Sequence, residues 1–137
     1  MININIPIFR SYELDTAFLI EGSYIKENGF YMNNTIPDYN KPVVRHKICD
    51  EDGIYHEVSK DYLAIHFPDM LDSQGNKIFA SLSENGKGGD VITYDEDIRI
   101  IAIYKNGTFI FKDSMNLAIV PSSRYLRTKV IGIQKWK

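Results

Sequence analysis

The amino-acid sequence predicts a mainly β protein with at most short helices. Three observations carry this reading. β-Branched and aromatic residues, nine of them tyrosines, recur in short runs bounded by Gly, Asn, Asp and Pro, which is the punctuation of strands. Three hairpin-type turn signals fall within 137 residues and argue for a meander or a small barrel over a parallel sheet. Helical patterning is confined to two short stretches, each stopped by a proline.

In chain order, the first strand is expected over Ile4–Arg10, where Ile4, Ile6 and Ile8 alternate with polar residues and Pro7 marks an edge or a strand end. A hairpin is expected with Tyr24-Ile25-Lys26 and Phe30-Tyr31-Met32 as arms and Glu27-Asn28-Gly29 as turn. A second is expected between Val43–Cys49 and Ile54–Val58, turning at Asp50-Glu51-Asp52-Gly53. Ser59 can cap one or two helical turns running to Ile65, before Phe67-Pro68 stops them. Asp90–Tyr94 reads as a strand. So do the two arms of Ile98–Lys112, whose Asn106-Gly107 turn needs φ > 0 at both central residues. A two-residue loop there pairs Lys105 with Thr108, Tyr104 with Phe109, Ile103 with Ile110 and Ala102 with Phe111. Both faces of that hairpin are apolar at mid-length, so it should be central and covered on both sides. A short helix around Ser114–Val120 and a strand over Thr128–Ile133 complete the pattern.

Ser83-Glu84-Asn85-Gly86-Lys87-Gly88-Gly89 has the composition of a mobile connection. It divides the chain into a β-rich region over 1–82, a Gly-rich loop over 83–89 and a small barrel portion over 90–137, sharing one core.

Composition narrows the class. The chain has one domain's length, roughly 100–200 residues being usual. Its 44% hydrophobic and 25% charged residues match the globular average and exclude a disordered tail, a collagen-like repeat or a coiled coil. No apolar run approaches the roughly 18 residues of a membrane-spanning helix, and the Met1–Pro7 segment lacks the positive region of a secretory signal. Cys49 is the only cysteine, so no internal disulfide forms and a cytoplasmic, reducing compartment is expected.

Charge is uneven. From Arg99 onward eight bases face one acid, giving +7, whereas residues 1–98 carry eight bases and seventeen acids, giving −9. The plainer reading is that basic strands fold against acidic ones and guard their edges with Lys. The sharper one is an anionic partner for the basic end. Arg99, Lys105, Lys112, Arg124, Arg127 and Lys129, interleaved with aromatics such as Tyr104, Phe109, Phe111, Tyr125 and Trp136, are the candidate nucleic-acid contacts on that reading.

No motif points to catalysis, a metal or a cofactor. His46, His56 and His66 are spaced by ten residues, which matches no one-face ligand rule, although His46 and His56 lie on opposite arms of one hairpin. Asp50-Glu51-Asp52 and Asp95-Glu96-Asp97 lack the continuation of a calcium loop and read as solvated turns. Gly86-Lys87-Gly88-Gly89 resembles a phosphate loop only in composition. Cys49 precedes an acidic run that disfavours a thiolate. Asn33-Asn34-Thr35 and Asn106-Gly107-Thr108 fit a glycosylation sequon and read as turns.

Four short motifs stand in a recognisable order: Phe9-Arg10-Ser11-Tyr12, then Asp72-Ser73-Gln74-Gly75-Asn76-Lys77-Ile78-Phe79, then Gly89-Asp90-Val91-Ile92, then Val130-Ile131-Gly132-Ile133. This order resembles the YopX-like family of phage and prophage proteins, with F-R-A-W early, T-G-L-K-D-K-N-G-K-E-I-Y-E-G-D-I-V in the middle and V-I-G-N-I-Y-E near the end. Here Ala80–Gly88 is inserted before the Gly-Asp pair, and Gln134-Lys135-Trp136-Lys137 replaces the usual ending. The resemblance implies an SH3-like β-barrel in the C-terminal half and no catalytic residues. Gly75 then supplies φ > 0 in a turn, and Asp90 bonds backbone N–H groups of its loop. Gly132 makes a bulge or barrel corner. With Asn106 and Gly107, these are the expected fold determinants.

The function expected is that of a non-enzymatic phage or prophage accessory protein in the bacterial cytoplasm. It would act as an interaction module toward a protein partner or a second copy of itself, through an exposed strand edge or aromatic patch. A nucleic-acid-binding barrel that uses the basic C-terminal segment is the alternative. Neither reading involves a membrane, a cofactor or a metal.

Overall fold

The computed structural model describes residues 6–94, 98–112, 118–119 and 128–133. The protein is mainly β. Among the described residues, eleven strands and one 3-10 turn follow in the order β1 (Ile8–Tyr12), β2 (Leu19–Asn33), β3 (Ile36–Cys49), β4 (Tyr55–Glu57), the turn Lys60–Tyr62, β5 (Ala64–His66), β6 (Ala80–Ser81), β7 (Asp90–Tyr94), β8 (Ile98–Lys105), β9 (Thr108–Lys112), β10 (Ala118–Ile119) and β11 (Thr128–Ile133). They form one sheet with the path β10-β9-β8-β6-β5-β1-β2-β3-β4, and β7 pairs with both β8 and β11. Among the described residues this sheet is open, so the pairings do not close the expected barrel.

The β8–β9 hairpin has the register the sequence predicts, from Lys105 opposite Thr108 to Ala102 opposite Phe111. Asn106 and Gly107 both adopt positive φ, 53° and 78°, as a two-residue turn requires. One face of the hairpin enters a core of Met70, Ile78, Ala80, Ile92, Ile100, Ala102 and Phe111, with Phe67, Tyr104 and Phe109 packed at its margin. Ile103 is buried on the opposite face. A side chain of this kind contributes roughly 1.5–3 kcal/mol when fully buried. A second cluster, Ile48, Val58 and Leu63 with Phe9, Ile20 and Tyr24, anchors the N-terminal strands.

The expected Asn28-Gly29 hairpin does not form. β2 runs straight through it, with Asn28 opposite Val44 and Gly29 opposite Val43, and the chain reverses after Asn33 instead, where Asn34 takes φ 60°. The physical reason is pairing length. Three-residue arms would make an isolated hairpin, marginal in water, whereas the later turn pairs β2 with β3 along most of their length. Pro42 is tolerated because it borders a register break: Phe30 faces Pro42 and Tyr31 faces Asp38, so Tyr39, Asn40 and Lys41 lie outside the ladder. Asp38 Oδ1 accepts the Asn40 N–H there at 3.0 Å, as an Asx turn does.

Smaller differences have local causes. The first described strand begins at Ile8, after Pro7. Ser59 makes no side-chain cap, and only the single turn Lys60–Tyr62 forms before Ala64–His66 joins the sheet, drawn by pairing with β1 and β6. Ala118–Ile119, expected in a short helix, pairs with β9; the rest of that stretch, and Asp95–Asp97, lie outside the described residues.

The Ser83–Gly89 loop, expected to be mobile, is tied down. Ser81 Oγ donates to the Lys87 carbonyl at 2.6 Å, Arg10 donates to the Gly88 carbonyl at 2.7 Å, and a Cβ on Gly88 would run into the Tyr62 carbonyl. At Gly132 the β7–β11 register shifts by one residue, a bulge.

Candidate functional site

β2 and β3 continue beyond the body of the sheet as a two-stranded ribbon. β1 pairs with β2 only from Leu19 to Gly22, and β4 pairs with β3 only from Lys47 to Cys49. Near the body Tyr24 still packs on the second cluster and the His46 carbonyl accepts the Val58 N–H; from Glu27 and Arg45 outward to the Asn34-Thr35 turn the two strands pair only with each other. Their alternation loses its meaning there, because neither face has a core to cover. Phe30, Tyr31, Met32, Ile36 and Tyr39 are all exposed at this tip, Ile36 and Tyr39 by 69% and 71%. Phe30 and Tyr39 meet edge to face with centroids 5.1 Å apart, and Lys41 Nζ lies 5.3 Å from the Tyr31 ring centroid. Exposed apolar residues on unpaired edges are the features by which an association surface is sought. Its sequence signal is the consecutive apolar run Phe30-Tyr31-Met32, which also suits the arm of a tight hairpin at Asn28-Gly29.

At the base of the ribbon lies an open cleft of about 590 Å³. β2 contributes Lys26, β3 His46, the 3-10 turn Lys60 and Asp61, and the β6–β7 loop Lys87. Tyr24 and His46 form one wall: their rings stack 5.9 Å apart at 9°, and Tyr24 Oη lies 2.6 Å from His46 Nδ1. Burial, then the charges of Lys60 and Lys26, hold the His46 pKa below the ordinary histidine value. These influences favour the neutral imidazole near pH 7, which shares one hydrogen with the Tyr24 hydroxyl across this contact.

The other histidines are held elsewhere. His56 Nδ1 lies 2.8 Å from Glu13 Oε2, and its Nε2 2.8 Å from Asp50 Oδ2. The hydrogen bond to Asp50, then that to Glu13, raises its pKa. His66 is buried against Phe79, with Nδ1 3.0 Å from the Ile78 carbonyl oxygen, and burial lowers its pKa. His46 and His56 thus have separate partners rather than facing each other. Among the described residues no group of three or more His, Cys, Asp or Glu is arranged to hold a metal ion. Cys49 is half-buried, its Sγ 3.7 Å from the Asp50 carbonyl.

Of the six candidate nucleic-acid contacts, Arg124 and Arg127 lie outside the described residues. Arg99 on β8 and Lys129 on β11 both stand opposite Thr93 on β7. Lys105 is ion-paired with Glu84 at 3.1 Å, and Lys112 donates to the Glu84 carbonyl at 3.2 Å. Two bases of the positive segment are therefore neutralised or occupied by the acidic one.

Gly75 has φ 84° and closes a turn in which Asp72 Oδ1 accepts the N–H groups of Gln74 and Asn76, each at 2.8 Å. Asp90 reaches past its own loop: Oδ2 accepts the Phe79 N–H and Oδ1 the Arg10 guanidinium, both at 2.8 Å. Burial pushes the Asp90 carboxyl up, against the pull of Arg10 and the Phe79 N–H.

No family model matches the chain, and no curated protein or solved structure matches it. Among the described residues no helix is long and apolar enough to cross a membrane.

Proposed function

We propose that the chain is a non-enzymatic interaction module of the YopX-like phage and prophage kind. It acts in the cytoplasm of a bacterial host and engages a second copy of itself through the tip of the β2–β3 ribbon. The observation that carries this reading is the exposed apolar cluster of Tyr31, Met32, Ile36 and Tyr39 on a ribbon with two free edges. One such surface serves both partners of a twofold dimer, and edges left uncovered would recruit strands indiscriminately.

The family reading is supported by contact between its motifs. Arg10 of the first motif pairs with Asp90 of the third, and Asp90 also binds Phe79 at the end of the second. An SH3-like C-terminal portion is supported by the local strand order β11-β7-β8-β9-β10. Long β8 serves β7 with its first half and β9 with its second, the way a strand turns a corner between two sheets. The non-enzymatic reading is supported by the commitment of His56 and His66 to structural partners.

Light scattering after size exclusion tests the proposal. The wild-type protein is expected to dimerise with rising concentration. Y31S/I36S/Y39S should weaken association at least about a hundredfold, since roughly 1.4 kcal/mol is tenfold and three exposed apolar groups are removed. A wild-type protein that stays monomeric at about 200 μM, well above the micromolar range of a standard interface, overturns it.

A further inference from the structure

The cleft beneath the ribbon gathers positive charge where the sequence is acidic. Residues 1–98 hold only eight bases against seventeen acids, yet three of those bases, Lys26, Lys60 and Lys87, line this one cavity beside a single carboxylate, Asp61. Elsewhere on the same surface lysines find acids: Lys47 pairs with Glu27 at 3.0 Å, Lys77 with Glu21 at 3.7 Å and Lys105 with Glu84 at 3.1 Å. Among the described residues none of the three cleft lysines has an ion-pair partner. They are carried by three separate elements, so the fold and not a sequence run brings them together. The loop that presents Lys87 is fixed through its backbone by Ser81 and Arg10.

The remaining walls suit an organic body. Leu63 and Leu82 supply apolar surface, and the Tyr24–His46 stack supplies a flat polar one. In the tautomer whose Nδ1 accepts from Tyr24, the imidazole carries its hydrogen on Nε2, a further donor. About 590 Å³ lies within the range of small-ligand sites, roughly 300–1,000 Å³.

We infer that this cleft binds a small phosphate-bearing ligand of about nucleotide size, with Lys26, Lys60 and Lys87 receiving the phosphate charge and the Tyr24–His46 wall receiving the ligand's body. Ammonium groups are suited to phosphate as point charges. The inference stands apart from self-association, whose surface lies at the other end of the ribbon.

The test follows the His46 imidazole by NMR in the full chain while pyrophosphate, ATP or adenosine is added near neutral pH at low salt. Pyrophosphate and ATP should each shift its resonances saturably and raise its titration midpoint, because the bound anion offsets the lysine charges; adenosine should leave both in place. K60Q/K87Q should weaken the two phosphate compounds roughly hundredfold, at about tenfold per charge-assisted contact. Without ligand, its His46 midpoint should already be raised, which shows the cleft intact. K41Q, on the ribbon outside the cleft, should bind as wild type. Tighter binding of ATP than of pyrophosphate supports a body seated on the Tyr24–His46 wall, and equal binding overturns that part of the inference. The inference fails if His46 ignores both phosphate compounds, if adenosine shifts it as ATP does, if K60Q/K87Q binds undiminished, or if K41Q loses as much.

Discussion

Arg10 and Asp90, eighty residues apart, form an ion pair of 2.8 Å with side chains only 7% and 2% exposed. The same guanidinium donates to the Gly88 carbonyl and stacks 4.3 Å from the centroid of the Phe79 ring, while the free carboxylate oxygen receives the Phe79 N–H. Two charges are thus removed from water, and each is paired with the other and holds one further hydrogen bond, the kind of support a buried pair needs. The pair fastens β1 to the start of β7, next to the loop that forms one wall of the cleft.

Arg10→Met should therefore destabilise the protein by about 3–5 kcal/mol, since it strands a buried carboxylate. Adding Asp90→Leu should recover a large part of that loss, because the two residues act as one unit. Urea unfolding at neutral pH measures both. An Arg10→Met cost below about 1 kcal/mol, the level of an exposed pair, would contradict the burial argument.

The His56 cluster gives stability a pH signature. His56 is raised above its ordinary 6.5, so its contribution is complete below that value and fades as pH rises through its folded pKa. Glu13 is lowered from 4.5, by Thr16 first and His56 second, and Asp50 from 3.8, by His56 first and the Ile54 N–H second. Their contributions are complete above those values and fade as pH falls through the folded ones. The three act together in the window between about 4.5 and 6.5. His56→Gln should accordingly cost more at the acid side of neutrality than at mildly alkaline pH. A stability difference that is flat across this range, measured by denaturant midpoint, would argue against the cluster.

Two of the three Asn-Gly dipeptides, Asn106-Gly107 and Asn28-Gly29, should respond in opposite ways. Gly107 has φ 78°, and any β-branched side chain there meets the left-handed penalty of roughly 1–2 kcal/mol. Gly29 is mid-strand, and an added Cβ would meet only the mobile end of Arg45, at 3.3 Å. Gly107→Thr should lower stability by at least about 1 kcal/mol, whereas Gly29→Thr should be neutral or stabilising by up to about 1 kcal/mol. Equal losses at both sites would restore the short hairpin that the pairing of Gly29 with Val43 excludes.

What the sequence disclosed was local. Asn106-Gly107 with its flanking alternation, the Asp50–Gly53 turn, β7 and β11 each announce themselves within a dozen residues. The Asn28-Gly29 signal fails because turn preference is weak beside the chance to pair β2 and β3 along most of their length, and the competing Asn33-Asn34-Thr35 turn carries no local sign of such long arms. Asp90 was legible as a backbone acceptor, but its partners Arg10 and Phe79 were not, since nothing local joins positions so far apart. The cleft was invisible for the same reason: Lys26, Lys60 and Lys87 are unremarkable singly and acquire meaning only when three elements converge.

The ribbon tip as an association surface is tested most directly by amide hydrogen exchange of the full-length protein at low and high concentration. Residues 30–39 have no strand partner outside the β2–β3 ribbon, so a dimer formed there should slow their exchange as concentration rises while the amides of β8 and β9 stay unchanged. Exchange at residues 30–39 that is the same at both concentrations, with light scattering reporting a dimer held elsewhere or none at all, would contradict the account.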